Sequence, residues 1–507
     1  MTRALHSVAE WIKRHAPQAQ LTADSRAIRR GDVFFAYPGE VADGRQFIAQ
    51  AIESGAAAVV CEADAYVWDD AQALPHLAVR DLKDQVGVIA NDFYGHPDRE
   101  MFIVAVTGTN GKTSCTQWLG SALSHLGYPT GVIGTLGVGV YRSGVAESFE
   151  ATGYTTPDAL LLQRRLADMR SAGVQALAIE ASSIGLQEQR MQGMHVDVAV
   201  FTNLTRDHLD YHGDMAAYEQ AKTMLFDWPG LKHAVLNLDD AAGLRIAQKL
   251  RASQPTLPIT GVSIEGKNAD GAVLLQASEI RASHSGTTFH LQAPGAEMQV
   301  KTQLVGRFNV GNVLAIIGAL LAKGIDARTA IDAVEALVAV PGRMQQLGGQ
   351  DAPLVVIDYA HTPDALEKVL AALEPIAQER EGELWCVVGC GGDRDAGKRP
   401  QIGKAALLAD HVIVTSDNPR SEEPAAIIAQ IMQGMGEVSG LKYAPQVIED
   451  RAAAILSAIK HAGKNDVVLL AGKGHETTQE IRGRKLPFLD ADHAALALAA
   501  RPMQGGH

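Results

Sequence analysis

The chain has 507 residues, too many for one compact core, and this length predicts roughly three domains of about 150 residues each. Its composition, 47% apolar and 20% charged, is that of a globular protein. The formal charge of −13, from 45 basic and 58 acidic residues, argues against a nucleic-acid partner, which would need a basic face. Four cysteines, an N-terminus without the apolar core of a signal peptide and no apolar run of about 18 residues predict a cytoplasmic protein without a membrane span.

Residues 1–98 carry short strand patterns, such as "DVFFAY" and "AAAVVCEA", on either side of the helical stretch "FIAQAIESGA". The run "NDFYGHPDRE" mixes polar residues with Gly and Pro and predicts a linker. We therefore expect a first, small α/β domain over 1–98.

Residues 99–338 open with "MFIVAV", a continuous apolar run that predicts a strand buried on both faces. The stretch "VTGTNGKTS" follows, and apolar residues then recur at helical spacing. Strand, glycine-rich turn and helix are the context of a phosphate loop, although Val106 stands where the general motif has its first Gly. Lys112 would neutralise phosphate charge and the Thr113 hydroxyl would bind Mg²⁺. A glycine-rich turn with a chance lysine is the alternative.

Two further motifs of this region end predicted strands, where the ligands of open α/β sheets gather. "EASSIG" places Glu180 there, as a candidate second ligand of Mg²⁺. "TNLTRDHLDYHG" places His208 in a cluster of acidic and imidazole side chains, which suggests metal or phosphate handling. The alternative for Glu180 is a surface acid. The alternative for the cluster around His208 is a helix-capping Asp beside exposed histidines. Lys222 lies on a following helix and by itself indicates only a solvated lysine.

Residues 339–507 alternate strand and helix patterns, which predicts a mostly parallel sheet with helices on both faces. "DYAHTPDAL" again places an Asp and a His, Asp358 and His361, at a strand end before a helix that begins with Pro. "GCGGDRDAGKRP" is not a dinucleotide motif, because Arg394 stands where the third Gly should be.

Two more motifs of this region suit a zwitterionic substrate. Arg420 in "DNPR" carries a guanidinium that can bind a carboxylate bidentately, with a surface turn as the alternative. Glu476 in "AGKGHE" follows the last predicted strand, where an acid could pair with a substrate ammonium.

Together these motifs resemble the Mur ligases, ATP-dependent amide-forming enzymes of cell-wall precursor synthesis. The resemblance covers nearly the whole chain and includes a shorter phosphate loop. In chain order it rests on "DSR", "GDVFFA", "GTNGKT", "TTPD", "EASS", "TNLTRDHLDYH", "AKTMLF", "GRFNVGN", "GRM", "DYAHTPDAL", "GCGGDRDAGKRP", "DNPR" and "AGKGHE".

The resemblance implies three α/β domains: a UDP-muramoyl-binding domain over 1–98, a central ATPase domain with a mostly parallel sheet over 99–338, and a Rossmann-like amino-acid-binding domain over 339–507. The ATP site would use Gly108, Thr109, Asn110, Gly111, Lys112, Thr113, Ser114, Asn309, Arg343, Asp358 and His361. The UDP-muramoyl-peptide would contact Ser25, Glu40, Val41, Ala42, Thr155, Thr156, Ser182, Glu188 and Arg190. The incoming amino acid would contact Arg394, Asp417, Asn418, Pro419, Arg420, Gly472 and Glu476.

Two positions depart from the family pattern. Glu188 stands where the family commonly has Gln, and Tyr154 stands where an Asn is often found.

Within the family the motifs resemble most the member that adds meso-2,6-diaminopimelate to the D-glutamyl γ-carboxylate of UDP-N-acetylmuramoyl-L-alanyl-D-glutamate. The carboxylate would first become an acyl phosphate, which the amine then attacks. The resemblance assigns catalysis to Lys112, Glu180, His208 and a carbamylated Lys222, and Mg²⁺ binding to Thr113, Glu180, His208 and that carbamate. It also implies a monomer and a role in cell shape and division.

Three alternatives stay open at this point. A relative that adds L-lysine would differ at "DNPR", because diaminopimelate carries a second carboxylate that lysine lacks. Folylpolyglutamate synthetase shares the ATP loop but usually lacks a separate uridine-nucleotide domain. A nucleotide-driven switch would hydrolyse ATP without ligation.

Overall fold

The computed structural model describes residues 2–39, 42–69, 73–283, 285–436 and 442–501. In these ranges the chain forms three successive α/β units, each built on its own sheet. The predicted fold class is therefore confirmed. No helix in the described ranges has the length and apolar character that crossing a membrane requires.

The first unit is a parallel four-stranded sheet in the order β1-β2-β3-β4. Its elements are α1 Thr2–His15, β1 Leu21–Thr22, β2 Val33–Ala36, α2 Ile48–Glu53, β3 Ala58–Glu62, β4 His76–Val79 and α3 Val86–Phe93. Every residue of β2 is buried, because Val33 and Phe35 pack toward α1 and α3 while Phe34 packs toward α2.

The second unit is a sheet of 11 strands in the order β15-β14-β13-β12-β11-β10-β5-β9-β6-β7-β8, and the pairs from β13 to β6 are parallel. Its strands are β5 Phe102–Thr107, β6 Thr130–Gly134, β7 Gly137–Arg142, β8 Val145–Ala146, β9 Ala176–Glu180, β10 Val198–Phe201, β11 His233–Asn237, β12 Ile259–Ser263, β13 Val273–Ser283, β14 Gly286–Ala293 and β15 Ala296–Thr302. Its helices are α4 Lys112–His125, α5 Ala159–Ser171, α6 Ser183–Gln187, α7 Leu209–His212, α8 Met215–Thr223, α9 Ala241–Ser253, α10 Arg307–Ala322 and α11 Ala327–Glu335.

The register of the central strands brings three predicted motifs together. Val106 pairs with Glu180 on one side of β5, and Thr107 pairs with Phe201 on the other. Because the strands are parallel, the loops after β5, β9 and β10 leave the same edge of the sheet. The phosphate loop, "EASS" and "TNLTRDHLDYHG" are therefore neighbours.

The third unit is a six-stranded sheet in the order β16-β17-β21-β18-β19-β20, with only the β16–β17 pair antiparallel, and a separate β22–β23 hairpin. Its strands are β16 Gln345–Gly348, β17 Leu354–Asp358, β18 Leu384–Val388, β19 His411–Val414, β20 Gln446–Val447, β21 Val467–Ala471, β22 Thr478–Ile481 and β23 Arg484–Pro487. Its helices are α12 Pro363–Glu379, α13 Arg399–Ala406, α14 Pro424–Gln433, α15 Arg451–His461 and α16 Asp490–Ala499.

The register of the parallel strands also brings the motifs of the third unit to one edge of its sheet. Asp358 pairs with Ala471, and Val388 pairs with Val414. The loops after β17, β21, β18 and β19 therefore share one edge of this sheet, and they carry "DYAHTPDAL", "AGKGHE", "GCGGDRDAGKRP" and "DNPR".

The segment that composition predicts as a linker, 91–100, is tightly packed against the second unit. Asp98 is only 3% exposed and accepts a hydrogen bond from Asn91 Nδ2 at 2.7 Å. It also lies 2.9 Å from His195 Nδ1, while His195 Nε2 lies 3.1 Å from Asp197 Oδ2. One imidazole thus joins two buried carboxylates where the first two units meet.

We expect this cluster to make stability pH-dependent. Hydrogen bonds with Asp197 and Asp98 raise the pKa of His195 to about 9 from an ordinary 6.5. A raised pKa means that the stabilisation is complete below pH 6.5 and is lost as pH rises through about 9. Thermal unfolding midpoints of wild type and His195→Asn, measured from pH 6 to about 10, should therefore converge at the alkaline end. His125→Asn, at an exposed position, is the control. A constant gap between wild type and His195→Asn would contradict this assignment.

Candidate active site

The predicted phosphate loop joins β5 to α4 and requires glycine at two positions. Gly108 has φ +145°, and a Cβ there would lie 1.9 Å from Thr202 Oγ1. Gly111 has φ +89° and caps α4, and a Cβ there would lie 2.8 Å from Asn312 Oδ1. The loop is therefore pressed between the end of β10 and helix α10, with no room for side chains at these glycines.

Residues after β10 hold the first half of the loop. The backbone N–H of Thr109 donates to Asn203 O at 2.8 Å, and that of Asn110 donates to Asn203 Oδ1 at 3.0 Å. Thr202 Oγ1 donates to Asn110 O at 2.6 Å. Because these two N–H groups are used, the N–H groups of the first turn of α4 are those that can face an anion.

Lys112 lies across the loop. Its Nζ donates to the carbonyl oxygens of Gly108 and Thr109, both at 2.9 Å. Burial lowers the pKa of Lys112, while Glu180 and Asp207 act in the opposite direction. The ammonium thus stands at the N-terminus of α4, where phosphates would arrive.

A cavity of about 880 Å³ opens beside this loop, and residues of both the second and third units line it. Such a volume suits a nucleotide-sized ligand. The predicted site residues that line it are Thr109, Asn110, Gly111, Lys112, Thr113, Ser114, Thr155, Glu180, Ser182, Arg190, His208, Lys222, Asn309, Arg343, Asp358, His361 and Arg394.

Other predicted residues in the described ranges do not line this cavity. They are Ser25, Ala42, Gly108, Thr156, Glu188, Asp417, Asn418, Pro419, Arg420, Gly472 and Glu476. Gly108, Thr156 and Glu188 lie directly behind the cavity wall, through contacts with Lys112, Ser182 and Arg190. The others form separate groups in the first and third units.

Glu180 is a fully buried carboxylate in the cavity wall. Thr135 donates to it twice, from its backbone N–H to Oε1 at 2.8 Å and from Oγ1 to Oε2 at 3.1 Å. Across the cavity, Arg343 Nη2 lies 3.4 Å from Thr113 Oγ1. In the described ranges, no three His, Cys, Asp or Glu side chains are grouped as a metal site.

Lys222 is buried rather than solvated, contrary to the interpretation from its helical position alone. It is 1% exposed, its Nζ donates to Gly108 O at 2.7 Å, and it lies 4.3 Å from the centre of the Tyr218 ring. Burial and the nearby Lys112 charge hold the pKa of Lys222 well below its ordinary value. This shift favours the uncharged amine, the form that can act as a nucleophile.

Asp207 connects the second and third units. Its Oδ2 lies 3.5 Å from His208 Nε2 and 3.6 Å from His361 Nε2. Burial alone would raise the pKa of Asp207, but the His361 contact and nearby positive charge hold it below the usual range. Burial lowers the pKa of His208 to about 4, so its imidazole is neutral at pH 7.

The residues predicted to hold the muramoyl peptide lie beside Glu180. Thr156 Oγ1 donates to Glu180 O at 2.8 Å and lies 2.9 Å from Ser182 Oγ. Arg190 Nη1 donates to Thr156 O at 3.1 Å, and its guanidinium lies 3.8 Å from Glu188 Oε2. The latter contact is an ion pair, whereas a Gln at 188 would offer Arg190 only a neutral amide oxygen.

Tyr154, the other departure from the family pattern, packs on the same arginine. The Arg190 guanidinium lies 4.9 Å from the centre of the Tyr154 ring, and this tyrosine is 60% exposed. The ring covers one face of the guanidinium and leaves less of it to solvent.

The predicted uridine-nucleotide residues lie in the first unit, away from the cavity. Ser25 is buried in a short turn and donates from Oγ to Gln50 Oε1 at 3.1 Å. Ala42 accepts a hydrogen bond from Gly39 N–H at 2.9 Å. Glu40 and Val41 lie outside the described residues.

Two predicted ATP residues have their polar atoms engaged by the protein. Asp358 accepts the N–H groups of Met344 and Ala360, both at 2.8 Å, one on each carboxylate oxygen. Asn309 Nδ2 donates to Val305 O at 2.7 Å at the start of α10. Both side chains thus shape the cavity wall by fixing the backbone behind it.

The remaining predicted amino-acid-binding residues form a compact group in the third unit. Asn418 Nδ2 donates to Glu476 Oε2 at 2.7 Å. Arg420 has φ +52° and donates to Gly392 O, and its backbone pairs with the β22–β23 hairpin. Asp417 lies close to Gly472, because a Cβ added at Gly472 would be 2.7 Å from Asp417 Oδ2. Burial raises the pKa of Asp417.

A short chain of contacts joins this group to the cavity. His475, adjacent to Glu476 in sequence, has its Nδ1 3.5 Å from Arg343 Nη1, and Arg343 reaches Thr113. Burial lowers the pKa of His475 to about 4, so this imidazole is neutral.

Sequence reasoning did not assign several residues that build the site. Thr202 and Asn203 clamp the loop, whereas Asp207, which the sequence predicts only as a member of the cluster around His208, bridges to His361. All three lie in "TNLTRDHLDYH", so the motif was found but its loop-clamping members were not assigned roles. No sequence motif marks Thr135, because this residue reaches Glu180 only through the pairing of β6 with β9.

Comparison with known proteins identifies the family. Models of the Mur ligase family match three stretches: the catalytic domain at residues 19–94, the middle domain at 106–320 and the glutamate ligase domain at 342–474. The chain therefore belongs to the Mur ligase family, which confirms the resemblance of its motifs.

Individual relatives cover nearly the whole chain. A protein of Janthinobacterium sp. (strain Marseille) named UDP-N-acetylmuramoyl-L-alanyl-D-glutamate--2,6-diaminopimelate ligase is 64% identical over 99% of this chain and 99% of its own length. A protein of the same name from Ralstonia nicotianae (strain ATCC BAA-1114 / GMI1000) is 50% identical over 98% and 96%. A solved structure of a ligase of that name is 36% identical, with a TM-score of 0.66 over 95% of this chain and 94% of its own.

Proposed function

We propose that this protein is an ATP-dependent ligase that adds meso-2,6-diaminopimelate to the D-glutamyl γ-carboxylate of UDP-N-acetylmuramoyl-L-alanyl-D-glutamate in peptidoglycan precursor synthesis. The main structural support is one cavity that holds the phosphate loop, Glu180 and Arg190 from the second unit and Arg343 from the third. A ligase must bring a nucleotide and an acceptor together in this way. The names of the full-length relatives supply the substrates.

In the first step, a γ-carboxylate oxygen attacks the γ-phosphorus of ATP, and ADP leaves. Lys112 stands at the N-terminus of α4, where its ammonium can neutralise the charge that develops on the phosphates. Arg190 can pair with a carboxylate of the muramoyl peptide, because its guanidinium lines the cavity beside Ser182.

In the second step, the diaminopimelate amine attacks the acyl phosphate carbonyl, phosphate leaves, and the amine loses a proton. The amide is then complete. A chain of contacts runs from Glu476 through its neighbour His475 to Arg343 and on to Thr113. Through this chain, an occupied amino-acid site can favour closure of the units over the nucleotide.

The residues of the cavity fit a divalent cation, provided that bound ATP supplies some of its ligands. Glu180 is the only carboxylate of the proposed set, and the unmodified Lys222 amine is no ligand for a hard cation. Mg²⁺ usually binds through one or two carboxylates plus phosphate oxygens, so Thr113 and Glu180 would hold it together with ATP. Bound there, it would neutralise phosphate charge.

Carbamylation of Lys222 would supply the missing anionic group. The neutral amine would attack CO₂, form an N–C bond and release one proton. The fully buried position of Lys222 beside Lys112 favours this change, because it replaces a second cation by an anion. We propose that this carbamate supports a second cation near His208.

The group at Asp417, Asn418, Arg420, Gly472 and Glu476 would select the amino acid. Diaminopimelate carries a distal carboxylate and amine, which Arg420 and Glu476 can pair by charge. L-lysine lacks that carboxylate and would leave Arg420 with only its protein partners, Glu480 and Gly392 O. We place the reaction in the cytoplasm, where ATP is available, with the chain acting as a monomer.

The proposal is tested by phosphate release with ATP, Mg²⁺, the UDP-muramoyl dipeptide and meso-diaminopimelate, with each component left out in turn. We expect release only from the complete mixture. Release without either acceptor would instead favour a nucleotide switch. Release with a folate acceptor and glutamate in place of the muramoyl dipeptide and diaminopimelate would favour folylpolyglutamate synthesis, against which the complete first unit counts.

A further inference from the structure

The loop after β21 buries a lysine that has no assigned role. Lys473 is 0% exposed and lies between Gly472, with φ +111°, and Gly474, with φ +53°. Both glycines adopt backbone conformations that other residues rarely take, so the chain turns sharply on each side of Lys473. The turn directs the lysine inward, below the group that would bind the amino acid.

All three N–H bonds of the Lys473 ammonium have partners. Nζ donates to Glu476 Oε2 at 2.9 Å, to Asn418 Oδ1 at 3.2 Å and to Thr478 O at 2.8 Å. An ammonium has three donors, so its hydrogen-bonding capacity is complete. A buried charge is tolerated only when paired in this way.

Two of these partners also bond to each other. Asn418 Nδ2 donates to Glu476 Oε2 at 2.7 Å, which closes a triangle of Lys473, Asn418 and Glu476. The N–H of Glu480 donates to Asn418 Oδ1 at 3.0 Å. With two donors on Oδ1, the amide of Asn418 has one satisfied orientation, in which its nitrogen faces Glu476.

The triangle leaves one side of Glu476 available. Its Oε2 accepts two hydrogen bonds, whereas Oε1 receives none from the described part of the chain. The Glu476 side chain is 29% exposed. A carboxylate held by one oxygen and open at the other is suited to receive a substrate ammonium.

We propose that Lys473 is a positioning residue for amino-acid selection: it holds the Glu476 carboxylate, directly and through the Asn418 amide, in the orientation that receives an ammonium group of the substrate. This inference rests on the proposed function and adds to it a residue that touches no substrate. Lys473 acts through Glu476, so its effect should disappear when Glu476 no longer carries a charge.

The test is a double-mutant cycle of Lys473→Met and Glu476→Gln, with wild type measured first. We expect Lys473→Met to raise the KM for diaminopimelate by about 10- to 100-fold, while the KM for ATP stays within about two-fold. The double variant should bind diaminopimelate no more weakly than Glu476→Gln alone, because the two changes remove the same interaction. Lys473→Gln keeps one amide donor to Glu476 and should fall between wild type and Lys473→Met.

Several outcomes would overturn the proposal. Lys473 would have only a structural role if the two substitutions raised the KM for diaminopimelate independently, so that their effects multiplied. The same would follow if Lys473→Met raised the KM values for ATP and diaminopimelate equally. If Lys473→Met fails to fold, judged by ATP binding, the same cycle is run with Lys473→Gln and the same criteria apply. An inactive wild type would overturn the proposed function and this inference together, whereas an active wild type with an additive cycle would overturn this inference alone.

Discussion

Replacing Lys222 with alanine is expected to lower kcat by about 10²- to 10³-fold, the usual cost of losing one electrostatic group from a reaction centre. Lys222 is 1% exposed and donates to Gly108 O at 2.7 Å, so its nitrogen lies at the phosphate loop. If its carbamate supports a cation, the alanine variant loses that anion, and added formate or acetate should restore part of the activity. Phosphate release at saturating substrates measures both effects.

A matched control separates this role from a general loss of positive charge. Lys301→Ala removes an exposed lysine of the same unit, far along β15, and should leave kcat within about two-fold of wild type. Growth of a carbamate signal with ¹³C-labelled bicarbonate in wild type, and its absence in Lys222→Ala, would identify the modified group directly. Full activity of Lys222→Ala would refute the carbamate.

Replacing Arg420 with alanine is expected to raise the KM for diaminopimelate by about 10²-fold, because a charge-assisted bidentate pair is lost. The KM for ATP should change little, since Arg420 does not line the nucleotide cavity. Arg420→Lys keeps the charge but not the planar fork and should give an intermediate value. Steady-state kinetics with each substrate varied in turn measures the separation.

The control for Arg420 lies on the adjacent hairpin. Arg482 pairs with Glu423 at 2.8 Å on the surface, and Arg482→Ala should leave both KM values near those of wild type. Equal increases in the KM values for ATP and diaminopimelate in Arg420→Ala would contradict a role in amino-acid recognition. They would instead point to the Arg420 contact with Gly392 O as a support for the loop.

The parts of the fold that sequence predicts best are those set by local pattern. "MFIVAV" predicted a buried strand, and β5 is buried from Ile103 to Thr107. The shortened loop with Gly108 and Gly111 predicted a turn into a helix, and α4 begins at Lys112. Because parallel strands end at one edge of a sheet, the motifs also predicted which loops would meet.

What sequence could not predict depends on contacts between distant residues. The helical spacing of Lys222 indicates only a solvated lysine, and the family resemblance alone placed it in the site; the fold brings its Nζ to Gly108 O. Glu180 gained its donor Thr135 only through the pairing of β6 with β9. The "NDFYGHPDRE" composition gave no sign that Asp98 would meet His195. Burial of a polar side chain is a tertiary property, and a single sequence carries little trace of it.

We propose above all that this Mur ligase selects a diamino dicarboxylic acid by its distal carboxylate and amine. The most direct measurement is the mass of the product formed from ATP, Mg²⁺, UDP-N-acetylmuramoyl-L-alanyl-D-glutamate and equal concentrations of meso-diaminopimelate and L-lysine. We predict that the diaminopimelate tripeptide accounts for nearly all of the product, because lysine leaves Arg420 without its carboxylate. A product that contains mainly lysine would keep the ligase and contradict the selection assigned to Arg420 and Glu476.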